Sequence, residues 1–370
     1  MTDHTEHPWR LPGSVAGQDV KLRSSTSTST STSRALSASA KARLQRIVRK
    51  APEVMVKVTG RSRGGAGHLK GHLDYITRNG QIHAETHDGQ RITDRAGLRA
   101  LHDDWLLANA AQSRGRNGPN ATQSVSLILS MRPGTPPDKV EAAARTWARE
   151  TFREHDWIMA RHDDTDHPHV HVTVRAVGRS GLRLAPGPVE LQQWRERFAR
   201  ELRRLGVEAE ATPRQARGQV QKSCAMAVTK IGQRGLEPRV QAAAKQAAQR
   251  EASAPRPQPL RDWSRDIQAR QDSIRQAYLA HADVLGQGEA SERQLARDIR
   301  RFVADMPVPL TRRQAMAVEL RQVLNKHSGR VAPPAEPALP DRADRSRGEV
   351  SIQAPKLPLP DPFPPKSRGR

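Results

Sequence analysis

One cysteine, Cys224, is too few for a disulfide framework or for a cysteine-rich zinc module. Long apolar runs are missing too. No stretch approaches the roughly eighteen residues that a membrane span needs, so no membrane insertion is expected. The opening MTDHTEHPWRLPG has no basic region followed by an apolar run, so no secretory signal is apparent and a cytoplasmic setting is expected. Aromatic residues are only 3% of the chain, which leaves few platforms for stacking on bases. Acid is also in short supply: 39 Asp and Glu face 62 Lys and Arg, a formal charge of +23. Basic residues run along the whole chain rather than in one tail. This excess points to a polyanionic partner, because neutralising phosphates releases counterions. Nucleic acid fits it better than an anionic membrane surface.

Apolar residues are 35% of the 370, so part of the chain is expected to lie outside any core. Residues 1–50 read as a disordered basic and Ser/Thr-rich tail. They hold an alternating Ser/Thr tract from Ser24 to Ser33, with a short basic helix expected from Leu36 to Arg49. Alternation in VMVKVTG marks a strand from Val54. A basic Gly-rich loop and an amphipathic helix from about His68 to Thr77 follow, stopped at Asn79-Gly80. Further segments predict a helix over 94–110, a strand over 124–131 and a Pro-led helix. Two adjacent strands, WIMARH and HVHVTVRAV, and a long basic helix close the unit. The order β, α, α, β, α, β, β, α predicts an α+β domain over 51–218 with a mostly antiparallel sheet. Beyond it, helices are expected at 219–251, 262–285, 291–304 and 311–327, as a helical accessory region over 219–330. Residues 331–370 form a Pro-rich, basic, disordered tail in this reading.

Fourteen histidines occur in the chain, and four of them crowd into RHDDTDHPHVHVTV, from Arg161 to Val174. Strand period puts His169 and His171 on one face, with Cβ atoms about 7 Å apart, so both imidazoles can reach one cation. His162 ends the preceding strand, across the turn DDTDHP, and returns beside them if the two strands pair antiparallel. Three nitrogens with an open side suit a catalytic divalent ion. Asp164 and Asp166 are candidates to orient the imidazoles from behind. His167 precedes a proline and is read as turn structure. A single histidine on a half-exposed strand usually just tolerates solvent; the cluster argues for more.

A metal in a basic protein suggests phosphodiester chemistry, which needs a nucleophile. Only Tyr75 and Tyr278 are tyrosines. Tyr278 has the spacing of a packing residue in the helical region. Tyr75 lies in GHLKGHLDYITRNG, beside basic residues. A phenol of pKa ~10 attacks poorly at neutral pH unless a base takes its proton. His72, three residues earlier on the same helical face, is the candidate base; a triad histidine or a hydroxide on the ion are alternatives. Arg61, Arg63, Lys70 and Arg78 flank the tyrosine as natural phosphate contacts.

HLDYITRNGQ, SLILSMRPGTPP and HDDTDHPHVHVTV resemble, in order and spacing, the three motifs of plasmid relaxases. These are mobilisation nucleases of the MobA/TraI and T-DNA border endonuclease type, in the HUH superfamily. The pattern His-x-Asp-x-Asp-His-Pro-His-x-His is specific, and the resemblance spans about Val54 to Gly218. It implies the HUH-endonuclease fold, related to ferredoxin-like and Rep domains. It further implies Tyr75 as the nucleophile that becomes joined to a 5′-phosphate in single-stranded DNA at a transfer origin. His162, His169 and His171 would hold Mg²⁺ or Mn²⁺, and Ser130 would hold DNA near the scissile phosphate. Relaxosome accessory proteins and a type IV coupling protein are the partners it implies.

Two competing readings stand beside it. A rolling-circle replication initiator or transposase of the same fold would place its tyrosine after His-x-His, yet none occurs between His171 and Tyr278. A non-catalytic basic DNA-binding accessory protein would not need the histidines and tyrosine to be intact. The helical region after residue 218 suits a docking role or further DNA contact, and equally a solvated charged surface.

Overall fold

Ser124–Ser130 (β4) and His169–Arg175 (β6) are buried at every residue except the half-buried Ile128, as in strands covered on both faces. They form the centre of a six-stranded sheet in this computed structural model, which describes residues 36–63, 66–112, 121–219, 224–254 and 262–327. The other strands are Met55–Ser62 (β1), Ala84–Thr86 (β2), Arg91–Ile92 (β3) and Trp157–His162 (β5). Their order is β1-β4-β6-β5-β2-β3, and every neighbouring pair is antiparallel.

Helices cover both faces. Pro137–Thr151 (α4) and Pro188–Arg204 (α5) lie on one, where Val125, Leu127 and Leu129 of β4 meet Val170, Val172 and Val174 of β6. Trp147 of α4 is fully buried there. Its indole N–H donates to the Trp194 carbonyl at 3.0 Å, and its ring meets Phe152 and Trp194 edge-on at 5.3 and 6.0 Å. The partner for the indole nitrogen is what lets so large a side chain be buried. Ala66–Ile76 (α2) and Arg95–Gln112 (α3) lie on the opposite face, over Ile158 and Ala160 of β5. Leu69, Leu73 and Ile76 recur at helical spacing and form the buried stripe of α2. The helix is stopped by three consecutive residues in the left-handed region, Arg78, Asn79 and Gly80. Only glycine fits the last, since a Cβ there would meet the Asp94 carbonyl carbon at 3.0 Å.

The expected α+β order is observed, with one addition. The β2–β3 hairpin is too short, at three and two residues, to show alternation. The helix expected over 219–251 is two, Met226–Gln233 (α6) and Arg239–Ser253 (α7), divided where Gly235 takes a φ of 75° and Pro238 caps α7. Asp262–Gly286 (α8), Ala290–Ala304 (α9) and Arg312–His327 (α10) follow as expected. The Ser/Thr tract, much of the loop QSRGRNGPN and residues 331–370 lie outside the described residues.

The last part of the expected N-terminal tail needs correction. Ala38–Val48 (α1) is a helix capped by Ser37, and its Leu44 and Ile47 are buried against Ile274, Tyr278, Ile299 and Phe302 of α8 and α9. Apolar residues at i and i+3 give even this short basic helix a face to bury. Arg46 and Arg43 of α1 reach the buried Glu210 at 2.7 and 3.5 Å. Burial raises the Glu210 pKa, but the Arg46 hydrogen bond and both guanidinium charges outweigh it and hold the carboxyl below its usual range. Residues through Leu320 form one compact unit; a second begins at Arg321, within α10.

Tyr278 joins α8 to the short turn Arg214–Arg217: it is fully buried and its hydroxyl donates to the Ala216 carbonyl at 2.8 Å. Burial pushes its pKa up, away from any role as a nucleophile. Tyr278→Phe leaves that carbonyl without its partner, so urea unfolding is expected to show a loss of about 1–2 kcal/mol. An unchanged midpoint would remove this contact from the account of how α8 is held.

Candidate metal and nucleophile site

Antiparallel register assembles the site. His162 of β5 pairs with His169 of β6, which pairs with Ser130 of β4, which pairs with Met55 of β1. Directly paired residues share a face, so these four form one row across the sheet. His171 lies two residues along on the same face, and Thr173 two further. The three imidazoles converge: one ring nitrogen from each lies within 4.8 Å of the others. Among the described residues no other group of three His, Cys, Asp or Glu side chains gathers in this way.

Two of the three rings are set by backbone carbonyls. His162 Nε2 lies 2.7 Å from the Ile76 carbonyl, at the last residue of α2. Carbonyls in a last helical turn have no intrahelical partner, and this one receives an imidazole N–H instead. The Nδ1 of His162 is thereby left for the cluster. His169 Nδ1 lies 3.0 Å from the His167 carbonyl, which leaves its Nε2. His171 Nδ1 is buried with no hydrogen-bond partner. Such an orphaned atom is costly in a finished core and is the expected state of a nitrogen awaiting a cation. Burial pushes the His171 pKa down to about 3, helped by the charges of His162 and His169. Burial also lowers His162. Neutral imidazole is the form that binds a metal, so the set fits a divalent ion with an open side.

Tyr75 stands over this cluster. Its ring centroid is 5.8 Å from His171 and 6.1 Å from His162, and the side chain is 52% exposed. It sits one residue before the Ile76 whose carbonyl holds His162, so the end of α2 both presents the phenol and orients a triad ring. His72 stacks beside Tyr75 at 6.4 Å, with its Nε2 2.9 Å from Thr173 Oγ1. Partial burial lowers the His72 pKa. Arg78 places its guanidinium 5.4 Å from the Tyr75 centroid and pairs with Asp164.

The remaining candidates are placed unevenly. Asp164 reaches within 3.9 Å of His169 Nε2, but its closer partner is Arg78. Asp166 is exposed and outside the histidine cluster; the acceptors that orient the rings are backbone carbonyls, not the two aspartates. His167 is turn structure, its Nδ1 3.1 Å from the Met131 carbonyl. Ser130 is buried beside His169 and its hydroxyl donates to the Met131 carbonyl at 3.3 Å. Arg61, Arg63 and Lys70 are exposed; Arg78 is drawn into the site rather than free. Sequence reasoning did not find Ile76 or Thr173. Thr173 had a signal, being next on the same strand face after His169 and His171, whereas a carbonyl at a helix end has none.

An antiparallel sheet with helices on both faces, carrying a His-x-His strand beside a helical tyrosine, is the HUH-endonuclease form. The comparisons agree. Residues 75–206 match the family model "Relaxase: MobA/VirD2-like, nuclease domain". Over 163 residues the chain is 26% identical to the T-DNA border endonuclease VirD2 of Rhizobium radiobacter, an alignment covering 40% of this chain and 38% of that protein. The chain thus spans under two-fifths of the length of that relative. The matched segment is similar to the relaxase nuclease domain. It begins at Tyr75 itself and contains Ser130 and all three histidines.

The buried histidines set a pH dependence for the metal-free protein. His171 has a folded pKa near 3 against an ordinary 6.5, so between these values the unfolded chain binds the extra proton. The stability it contributes is complete above about pH 6.5 and lost as pH falls toward 3, by up to about 1.4 kcal/mol per pH unit for one proton. The lowered values of His72 and His162 act in the same sense. Denaturation midpoints at pH 7, 6 and 5 in EDTA should therefore fall in that order, with a shallower fall in His171→Asn. Equal slopes in the two proteins would contradict the burial argument.

Proposed function

We propose that this chain is a DNA relaxase, which nicks one strand at a plasmid transfer origin for conjugative transfer or mobilisation and later reseals it. The observation that carries the reading is Tyr75, exposed and packed at 5.8 Å and 6.1 Å on two histidines of a metal-ready triad. The Tyr75 hydroxyl oxygen attacks the scissile phosphorus, the bond to the 3′ oxygen breaks, and a phosphotyrosine ester to the 5′ end forms. The phenol proton passes to His72, whose Nε2 is engaged by Thr173 and whose burial keeps it neutral and able to accept. The departing 3′ oxygen takes a proton from solvent and leaves as a hydroxyl. One phosphodiester replaces another, so the reverse attack religates the strand without ATP. Arg78 over the phenol face favours the negative charge that develops there.

A divalent ion held by His162, His169 and His171, Mg²⁺ or Mn²⁺, would supply Lewis acidity toward the phosphate oxygens and the leaving 3′ oxygen. Ser130, in the same row as His169, is assigned to the DNA backbone near the scissile phosphate. Arg61, Arg63 and Lys70 supply phosphate contacts on the exposed side of β1 and α2. In-line attack requires an accessible phosphate, so single-stranded or extruded DNA is the substrate. Relaxosome accessory proteins and a type IV coupling protein are the proposed partners, and the bacterial cytoplasm the proposed location. No helix among the described residues is long and apolar enough to cross a membrane. A nucleophile in the helical region, as a rolling-circle initiator would place it, is disfavoured by the buried, carbonyl-bonded Tyr278.

The test uses a 3′-labelled single-stranded oligonucleotide from the transfer origin, incubated with the full chain and Mg²⁺ or Mn²⁺. An SDS-resistant adduct is expected that vanishes in Tyr75→Phe and with EDTA and persists in Tyr278→Phe. His72→Ala should slow its formation about 10²- to 10³-fold, the usual contribution of a positioned base. An adduct that survives Tyr75→Phe would overturn the assignment of the nucleophile.

A further inference from the structure

Strand pairing fails beside the triad, and the failure leaves a cavity. Ladder pairs join β2 to β5 at Thr86–Ile158 and Glu85–Met159, and go no further toward His162. Past that point residues 81–83 diverge from residues 161–164. Between them, with Arg78 at the rim and His162 in the wall, lies a cavity of 460 Å³. That is within the range of small-ligand pockets, about 300–1,000 Å³, and larger than one planar base requires.

Its charge decides what it takes. Arg78 pairs with Asp164, while Arg161 pairs with Asp163 at 3.0 Å and with Asp138 and Glu141 from α4. Every positive charge in the lining is thus answered by a carboxylate, in a chain whose formal charge is +23. A phosphate would meet Asp163 and Asp164 and find no uncommitted guanidinium. A neutral, planar, hydrogen-bonding group would find both donors and acceptors, with Gln81 and His83 exposed at the mouth. Carboxylates accept from exocyclic amino groups of bases, and amides both give and accept.

We infer that this cavity is a nucleobase pocket. It takes the unstacked base of a nucleotide adjoining the phosphate that Tyr75 attacks, and so sets sequence preference beside the nick. The inference rests on the nicking reading above. His162 is shared between the pocket wall and the triad, so a seated base fixes the position of its own phosphate relative to the histidines. The base is read by Gln81 and His83, which line the cavity and are not among the three histidines of the triad.

The experiment incubates the full chain with Mn²⁺ and a random single-stranded DNA library, then sequences the covalently joined strands and, separately, those retained on the protein without a covalent bond. Gln81→Ala/His83→Ala is compared with wild type, with thermal midpoints to check folding. Gln81→Trp, which fills the cavity, serves as a second variant. Wild type should show a strong base preference at a position adjoining the joined phosphate. Both variants should flatten that position about tenfold, the usual size of one lost base contact, while preferences elsewhere persist. A profile unchanged in both variants, or a wild-type profile with no preference there, overturns the pocket. If no adduct forms, the nicking reading fails, and the retained strands still decide the pocket by the same comparison.

Discussion

The pairing of His162 with His169 is the constraint on which the site depends. A slip of one residue between β5 and β6 would send His162 to the face packed by α4 and α5, and no triad would exist. The apolar pattern prevents that slip. Trp157, Met159, Val170, Val172 and Val174 must all reach the same core, and a one-residue slip would turn one strand's set away from it. Burial on one face of the sheet thus fixes the placement of polar groups on the other. The histidines themselves contribute little to choosing the register.

The end of α2 completes what the sheet begins. Leu69, Leu73 and Ile76 anchor the helix over β5, and the left-handed residues at Arg78–Gly80 end it there. The Ile76 carbonyl then sets the His162 ring while Tyr75 stands one residue away. Tyr75 and the His162 ring are therefore referenced to one helix end rather than to separate loops, which fixes their relative placement. Burial lowers the pKa of His162 and His171, and carboxylates pair with Arg78 and Arg161, so little net positive charge stands at the site despite that of the whole chain.

Much of this was legible in the sequence because periodicity encodes faces. HVHVTV gave the strand and its polar face, and WIMARH ended where the third histidine had to be. The His-x-Asp-x-Asp-His-Pro-His-x-His spacing then carried the family. Other features could not be read. β2 and β3 are too short to show a period, yet their divergence from β5 opens the cavity beside the triad. Asp164 and Asp166 drew attention as acids near histidines, whereas the acceptors that orient the rings are carbonyls with no side-chain signature. Residues 38–48 looked like the end of a tail because their apolar partners, in α8 and α9, lie more than two hundred residues away in the chain.

The most direct test of the central claim is a Mn²⁺ titration of the full chain followed by calorimetry or electron paramagnetic resonance. One ion per chain is predicted, lost in His162→Ala, His169→Ala and His171→Ala and retained in His167→Ala, whose ring faces the Met131 carbonyl. Binding that is unaffected by His171→Ala, or lost equally in His167→Ala, would contradict the triad that the strand register builds.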